Sequence, residues 1–140
     1  MPNKKVVLDT NCLLASISRR SSAYPVWKGF QEGRYTLCVT TEILEEYEEV
    51  ITRKASAEVA ANVIRMIADS KYVEFIDTYF HWHLIATDPD DNKFVDCAFA
   101  AGADYLVSED NHFDVLRNTS FPQLNLVTLD EFMQTRLVPK

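Results

Sequence analysis

Lys5-Val6-Val7-Leu8-Asp9-Thr10-Asn11 is the stretch on which the fold turns, a short β-branched run that ends in Asp, Thr and Asn. A run so short and continuously apolar reads as a buried strand, and the polar triplet behind it as a helix start. Tyr35-Thr36-Leu37-Cys38-Val39 repeats the pattern. After it Thr40 and Thr41 offer an N-cap, and Ile43, Leu44, Tyr47, Val50 and Ile51 fall on one helical stripe. The acidic run on that helix, Glu45, Glu46, Glu48 and Glu49, is expected to be a solvated face.

Further out, Ser56 caps a helix with Val59, Val63, Met66 and Ile67 on its apolar face, and Val73-Glu74-Phe75-Ile76 forms another strand. Residues 12 to 32 are expected to be helical, with a break or a new start at Ala23-Tyr24-Pro25. Asp88-Pro89 opens a helix, with Asp at the N-cap, Pro at the first helical position and Asp90 and Asp91 in the first turn. Gly102 closes it as a left-handed residue. Tyr105 to Ser108 and Asn125 to Thr128 are the remaining strands, and Leu129 to Leu137 a last helix.

Short apolar strands alternating with amphipathic helices imply βαβ units. The expected fold class is α/β, a three-layer α/β/α sandwich with a mostly parallel sheet, in one domain over residues 1–140. Its 47% hydrophobic content suffices for one core. Ligands of such sheets bind beyond the carboxyl ends of the strands, where strand order reverses.

No apolar run approaches the ~18 residues of a membrane span, and Met-Pro-Asn-Lys-Lys lacks the apolar stretch of a signal peptide. A cytoplasmic protein is therefore expected. Cys12, Cys38 and Cys97 are odd in number, widely spaced and set in apolar segments, so they read as reduced core residues. The net charge of −7 argues against a strongly basic nucleic-acid grip. That acidity is uneven, because residues 1 to 71 carry 10 Lys/Arg against 9 Asp/Glu, and residues 72 to 140 carry 4 against 12.

Four acids stand at strand ends or helix starts on one rim: Asp9, Glu42, Asp91 and Asp110. Each has an ordinary explanation in isolation. Asp9 can be an N-cap, while Glu42 and the Asp88, Asp90, Asp91 group can complement helix dipoles. Together they repel, by about 4 kcal/mol for two unit charges about 4 Å apart at an effective dielectric of about 20. A bound cation removes that cost. Oxygen-only carboxylate ligands suit Mg²⁺ or Mn²⁺, and a pair of such ions about 3.5–4 Å apart activates water for in-line phosphodiester hydrolysis. Coordinates that place the oxygens of these four acids far apart, or that plug the space between them with a Lys or Arg head group, would end this reading.

Within the last acidic helix, Asp91 shares the stripe of Phe94, Val95 and Ala98, whereas Asp96 is rotated about 140° away and is expected in solvent. His81 and His83 face the same way on an extended segment but lack a third ligand, and His112 reads as a polar loop residue.

At these residues the chain resembles the PIN-domain family, in particular the VapC-like toxins of bacterial toxin–antitoxin pairs. The matching pieces are Val7 to Asn11, Thr41-Glu42-Ile43-Leu44, Asp88 to Phe94 and Ala101 to Asp110. Any one of them is weakly specific, but their order and spacing are not. The resemblance implies that Asp9, Glu42, Asp91 and Asp110 are metal-binding, catalytic acids, with Asn11 and Ser108 supporting them through hydrogen bonds. It implies an Mg²⁺- or Mn²⁺-dependent endoribonuclease with an RNA substrate, an antitoxin partner and a homodimeric state. Ser108 stands where many members have Thr, and Phe113-Asp114 reverses a common pair.

The chain lacks both G-x-G-x-x-G and the P-loop, and Asn11 stands where a haloacid-dehalogenase-like phosphatase would need a second Asp. The rival reading is a catalytically silent PIN-like module that docks RNA or protein. Between a toxin and an RNA-processing role, the resemblance favours the toxin of a type II toxin–antitoxin pair.

Overall fold

The computed structural model describes residues 3–78, 92–109 and 125–140. Its elements, in chain order, are β1 (Lys5–Leu8), α1 (Thr10–Ser16), α2 (Tyr24–Gln31), β2 (Thr36–Val39), α3 (Thr41–Lys54), α4 (Ala57–Asp69), β3 (Val73–Phe75), α5 (Asn92–Ala101), β4 (Tyr105–Val107), β5 (Leu126–Val127) and α6 (Leu129–Met133). The five strands form one sheet in the order β3-β2-β1-β4-β5, and every neighbouring pair is parallel. Strand order reverses at β1, because the chain builds first toward β3 and later returns to place β4 on the other side. The α/β class with a parallel sheet is therefore as expected.

Burial explains why these short runs are strands. Val6, Val7, Leu8, Leu37, Cys38, Val39, Leu106 and Val107 are all essentially inaccessible, so the central strands are covered on both faces. Two tyrosines tie helices to this sheet. Tyr47 of α3 donates its hydroxyl to the Leu8 carbonyl at 2.5 Å, and Tyr35 donates to the Val26 carbonyl at 2.6 Å. Burial pushes both phenols well above their ordinary pKa, so each remains a donor.

Helix starts follow the expected caps. Thr40 and Ser56 accept from the third residue onward, and α2 begins at Tyr24 with Pro25 in its first turn. Three expectations shift. Residues 12 to 32 are not helical up to the break at Ala23, because α1 ends at Ser16 and residues 17–23 form turns. On α4 the buried stripe is Ala60, Val63 and Ile67, leaving Val59 and Met66 exposed at its margins. The last helix ends at Met133, and Thr135 turns its hydroxyl back to the Phe132 carbonyl at 2.7 Å, a local bond that competes with further helix.

Gly102 ends α5 at φ 64°, with Ala103 N–H donating to the Ala98 carbonyl at 2.9 Å and Gly102 N–H to Phe99 at 3.2 Å. This is a Schellman closure, as the expected left-handed residue implies. Gly33 closes α2 in the same way at φ 73°, and a Cβ there would fall 2.4 Å from the Tyr72 ring. Gly33→Ala should lower stability by about 1–3 kcal/mol, from backbone strain plus displacement of that ring. A urea midpoint equal to wild type would contradict this account.

Candidate active site

Asp9 is the residue immediately beyond β1, and Ser108 the residue immediately beyond β4, on the two strands that meet at the reversal point. Their register makes them neighbours: Leu8 pairs with Val107, and Asp9 N–H donates to the Val107 carbonyl at 3.0 Å. Asp9 is buried and both of its oxygens are engaged. Oδ1 accepts the Cys12 N–H at 2.8 Å, which caps α1, and Oδ2 accepts the Ser108 hydroxyl at 2.5 Å. The carboxylate is thus both cap and oriented acceptor, and each oxygen keeps lone-pair capacity for a further partner.

The α3 side contributes a residue that sequence reasoning assigned to solvent. Glu46 is half-buried; one of its oxygens accepts the hydroxyl of Thr10, the residue after Asp9, and the other meets the Lys93 ammonium at 2.7 Å. Glu42, one turn earlier on the same face, is exposed. Both line a groove of about 420 Å³ together with Glu45, Glu49, Val50, Arg53 and Lys93. The buried stripe of α3 placed the acids of its other side in solvent, but α1 and α5 pack against that helix and enclose part of the polar face. The four-residue spacing from Glu42 was the signal in the sequence that could have found Glu46.

Asp96 is also corrected. It is 4% exposed rather than solvated, because α5 buries Asn92, Phe94, Val95, Asp96, Cys97 and Ala98 in succession. Rotation about a helix axis separates core from solvent only where one face is wet, and this helix is covered on several. Asn11, expected as a supporting residue, is exposed. Asp91, Asp110, the Asp88-Pro89 helix start, His81, His83 and His112 lie outside the described residues.

Cys12 sits against Asp9, yet its thiol is held far above the usual range, first by burial and then by the Asp9 charge. Burial likewise pushes Cys38 up to about 12. All three cysteines are buried and unbridged, as expected, and a thiolate nucleophile at this rim is disfavoured.

Among the described residues no three His, Cys, Asp or Glu side chains gather into a metal-sized cluster. The donors at hand are carboxylate and hydroxyl oxygens from Asp9, Glu46, Thr10 and Ser108, a hard-donor set of the kind Mg²⁺ and Mn²⁺ accept. The chemistry of these donors therefore fits such an ion, with two carboxylates, Asp9 and Glu46, from the described residues. One basic head group does stand on an acid of this rim, namely Lys93 on Glu46.

The PIN domain family model matches residues 5–112. No curated protein sequence matches the chain. Among solved structures, VapBC2 from Rickettsia felis, bound to a DNA fragment from its promoter, is similar with a TM-score of 0.61 and 17% identity over 89% of this chain and 98% of that one. DNA-bound VapBC from Salmonella typhimurium is similar with a TM-score of 0.62 and 17% identity over 90% and 98%. Mycobacterium tuberculosis VapC20, a toxin that cleaves the sarcin–ricin loop, is similar with a TM-score of 0.56 and 13% identity over 78% and 92%.

Proposed function

The chain belongs to the PIN-domain family, and from that premise we propose that it is an endoribonuclease dependent on Mg²⁺ or Mn²⁺, acting as the toxin of a type II toxin–antitoxin pair. The observation that carries the reading is the oriented Asp9 carboxylate at the strand-order reversal, with Glu46 bonded to Thr10, the next residue in the chain. The solved neighbours are VapBC and VapC proteins, one of them a toxin that cleaves the sarcin–ricin loop, which supports the toxin role over RNA processing.

In this reading Asp9, Asp91 and Asp110 would hold the cation, and the acid from α3 would be Glu46, with Glu42 on the same groove. Ser108 fixes the Asp9 carboxylate by donating to Oδ2, and Thr10 does the same for Glu46. When bound, such a cation would supply Lewis-acid stabilisation of the phosphate charge and would lower the pKa of a nearby water. The chain's own residues would orient the acids, and Cys12 and Leu13, both buried, donate their backbone N–H groups to Asp9.

The test is purified protein incubated with structured RNA and either metal, read against an Asp9→Asn control. Glu46→Gln should reduce cleavage on the order of 10²-fold, and Glu42→Gln less than tenfold. The opposite ranking would return the role to Glu42. An antitoxin partner predicts a short open reading frame beside the gene, whose product covers the acidic rim and suppresses cleavage. A homodimer is part of the same proposal and is read by sedimentation.

A further inference from the structure

Lys93 lies in the first turn of α5, and its ammonium meets Glu46 Oε1 at 2.7 Å across to α3. The side chains are 18% and 24% exposed, so both are largely withdrawn from water where they meet. Glu49 and Arg53 pair within α3, four residues apart at 3.8 Å and in open solvent, which is the usual surface arrangement. The Lys93 pair is different because its carboxylate also holds Thr10, next to Asp9.

We infer that Lys93 is an exchangeable counter-ion of the site: its ammonium neutralises Glu46 while no divalent cation is bound, and must leave that oxygen for the cation to enter. The inference rests on the metal-dependent reading above. A divalent ion and an ammonium compete for one carboxylate oxygen, and they repel each other strongly in a half-buried groove. Lysine suits the exchange because its charge is a compact point on a flexible stem, able to leave without moving the helix. Glu49 and Glu45, which line the same groove, offer acceptors to the released ammonium, as does a phosphate oxygen of bound RNA. The acid is therefore not left as an uncompensated buried charge before metal arrives.

A purely structural lysine and an exchangeable one make opposite predictions for metal affinity. If Lys93 merely braces α5 against α3, its loss loosens Glu46 and weakens binding of the ion. If it competes, its loss tightens binding. The experiment is a Mn²⁺ titration of the RNA-free protein, followed by the free-ion EPR signal. Lys93→Met should bind Mn²⁺ roughly fivefold more tightly than wild type, and Lys93→Arg about as wild type does. Lys93→Gln keeps a donor to Glu46 without the charge and should also tighten binding, which covers the case of a Met variant that fails to fold. Combining Lys93→Met with Glu46→Gln should erase the gain, since the competition has lost its object. Unchanged or weaker Mn²⁺ binding by both neutral variants overturns the inference and leaves the metal reading standing. Absence of Mn²⁺ binding by every form, wild type included, overturns both.

Discussion

Asp9→Asn protein is expected to cleave structured RNA on the order of 10²–10³-fold more slowly than wild type while keeping its fold. The two effects separate because of what Asp9 does locally. Asn caps a helix about as well as Asp, so the bond from Cys12 N–H survives. The Ser108 hydroxyl both donates and accepts, so it can turn to receive the new amide N–H. Stability should therefore stay within about 1 kcal/mol of wild type. What disappears is the negative charge at the strand-order reversal, which is the property a metal site needs. Cleavage by the variant at the wild-type rate would place the activity elsewhere or in a contaminant, and the nuclease reading would fall.

The largest stability effect is expected at Tyr47. Its ring is fully buried between α3 and the sheet, and its hydroxyl holds the carbonyl of Leu8, the residue before Asp9. Tyr47→Ala should cost about 3–5 kcal/mol, from lost transfer energy and the cavity left behind. Tyr47→Phe keeps the ring and should cost about 1–3 kcal/mol, for a buried carbonyl left unpaired. Urea unfolding of the two variants separates packing from hydrogen bonding, and near-equal midpoints would mean that the hydroxyl, not the ring, sets the cost. Since that bond anchors the end of β1, a folded Tyr47→Phe protein should also show reduced cleavage.

Within the α3 helix, the physical limit of sequence reading is plain. Ile43, Tyr47 and Ile51 announced their burial through spacing alone, because water and core divide the helix along its length. Glu46 did not, since its environment is made by Thr10 and Lys93, 36 and 47 residues distant along the chain. Asp96 failed for a related reason. Helical rotation predicts which residues share a face, but α5 is covered on more than one face, so a polar residue off the main stripe is buried as well.

Five strands, their alternation with helices, the Thr40 and Ser56 caps, the Gly102 closure and the position of Asp9 at a strand end were all determined by the sequence by itself. Each follows from residues within a few positions of one another, where steric, capping and periodicity rules act. Tertiary structure alone decided that β1 is the strand at which order reverses, that Ser108 reaches Asp9 from 99 residues away, and that Glu46 carries Lys93. Those are pairings between segments remote in the chain. Their partners are chosen by how strands register and helices pack, and no local pattern of side chains encodes that choice.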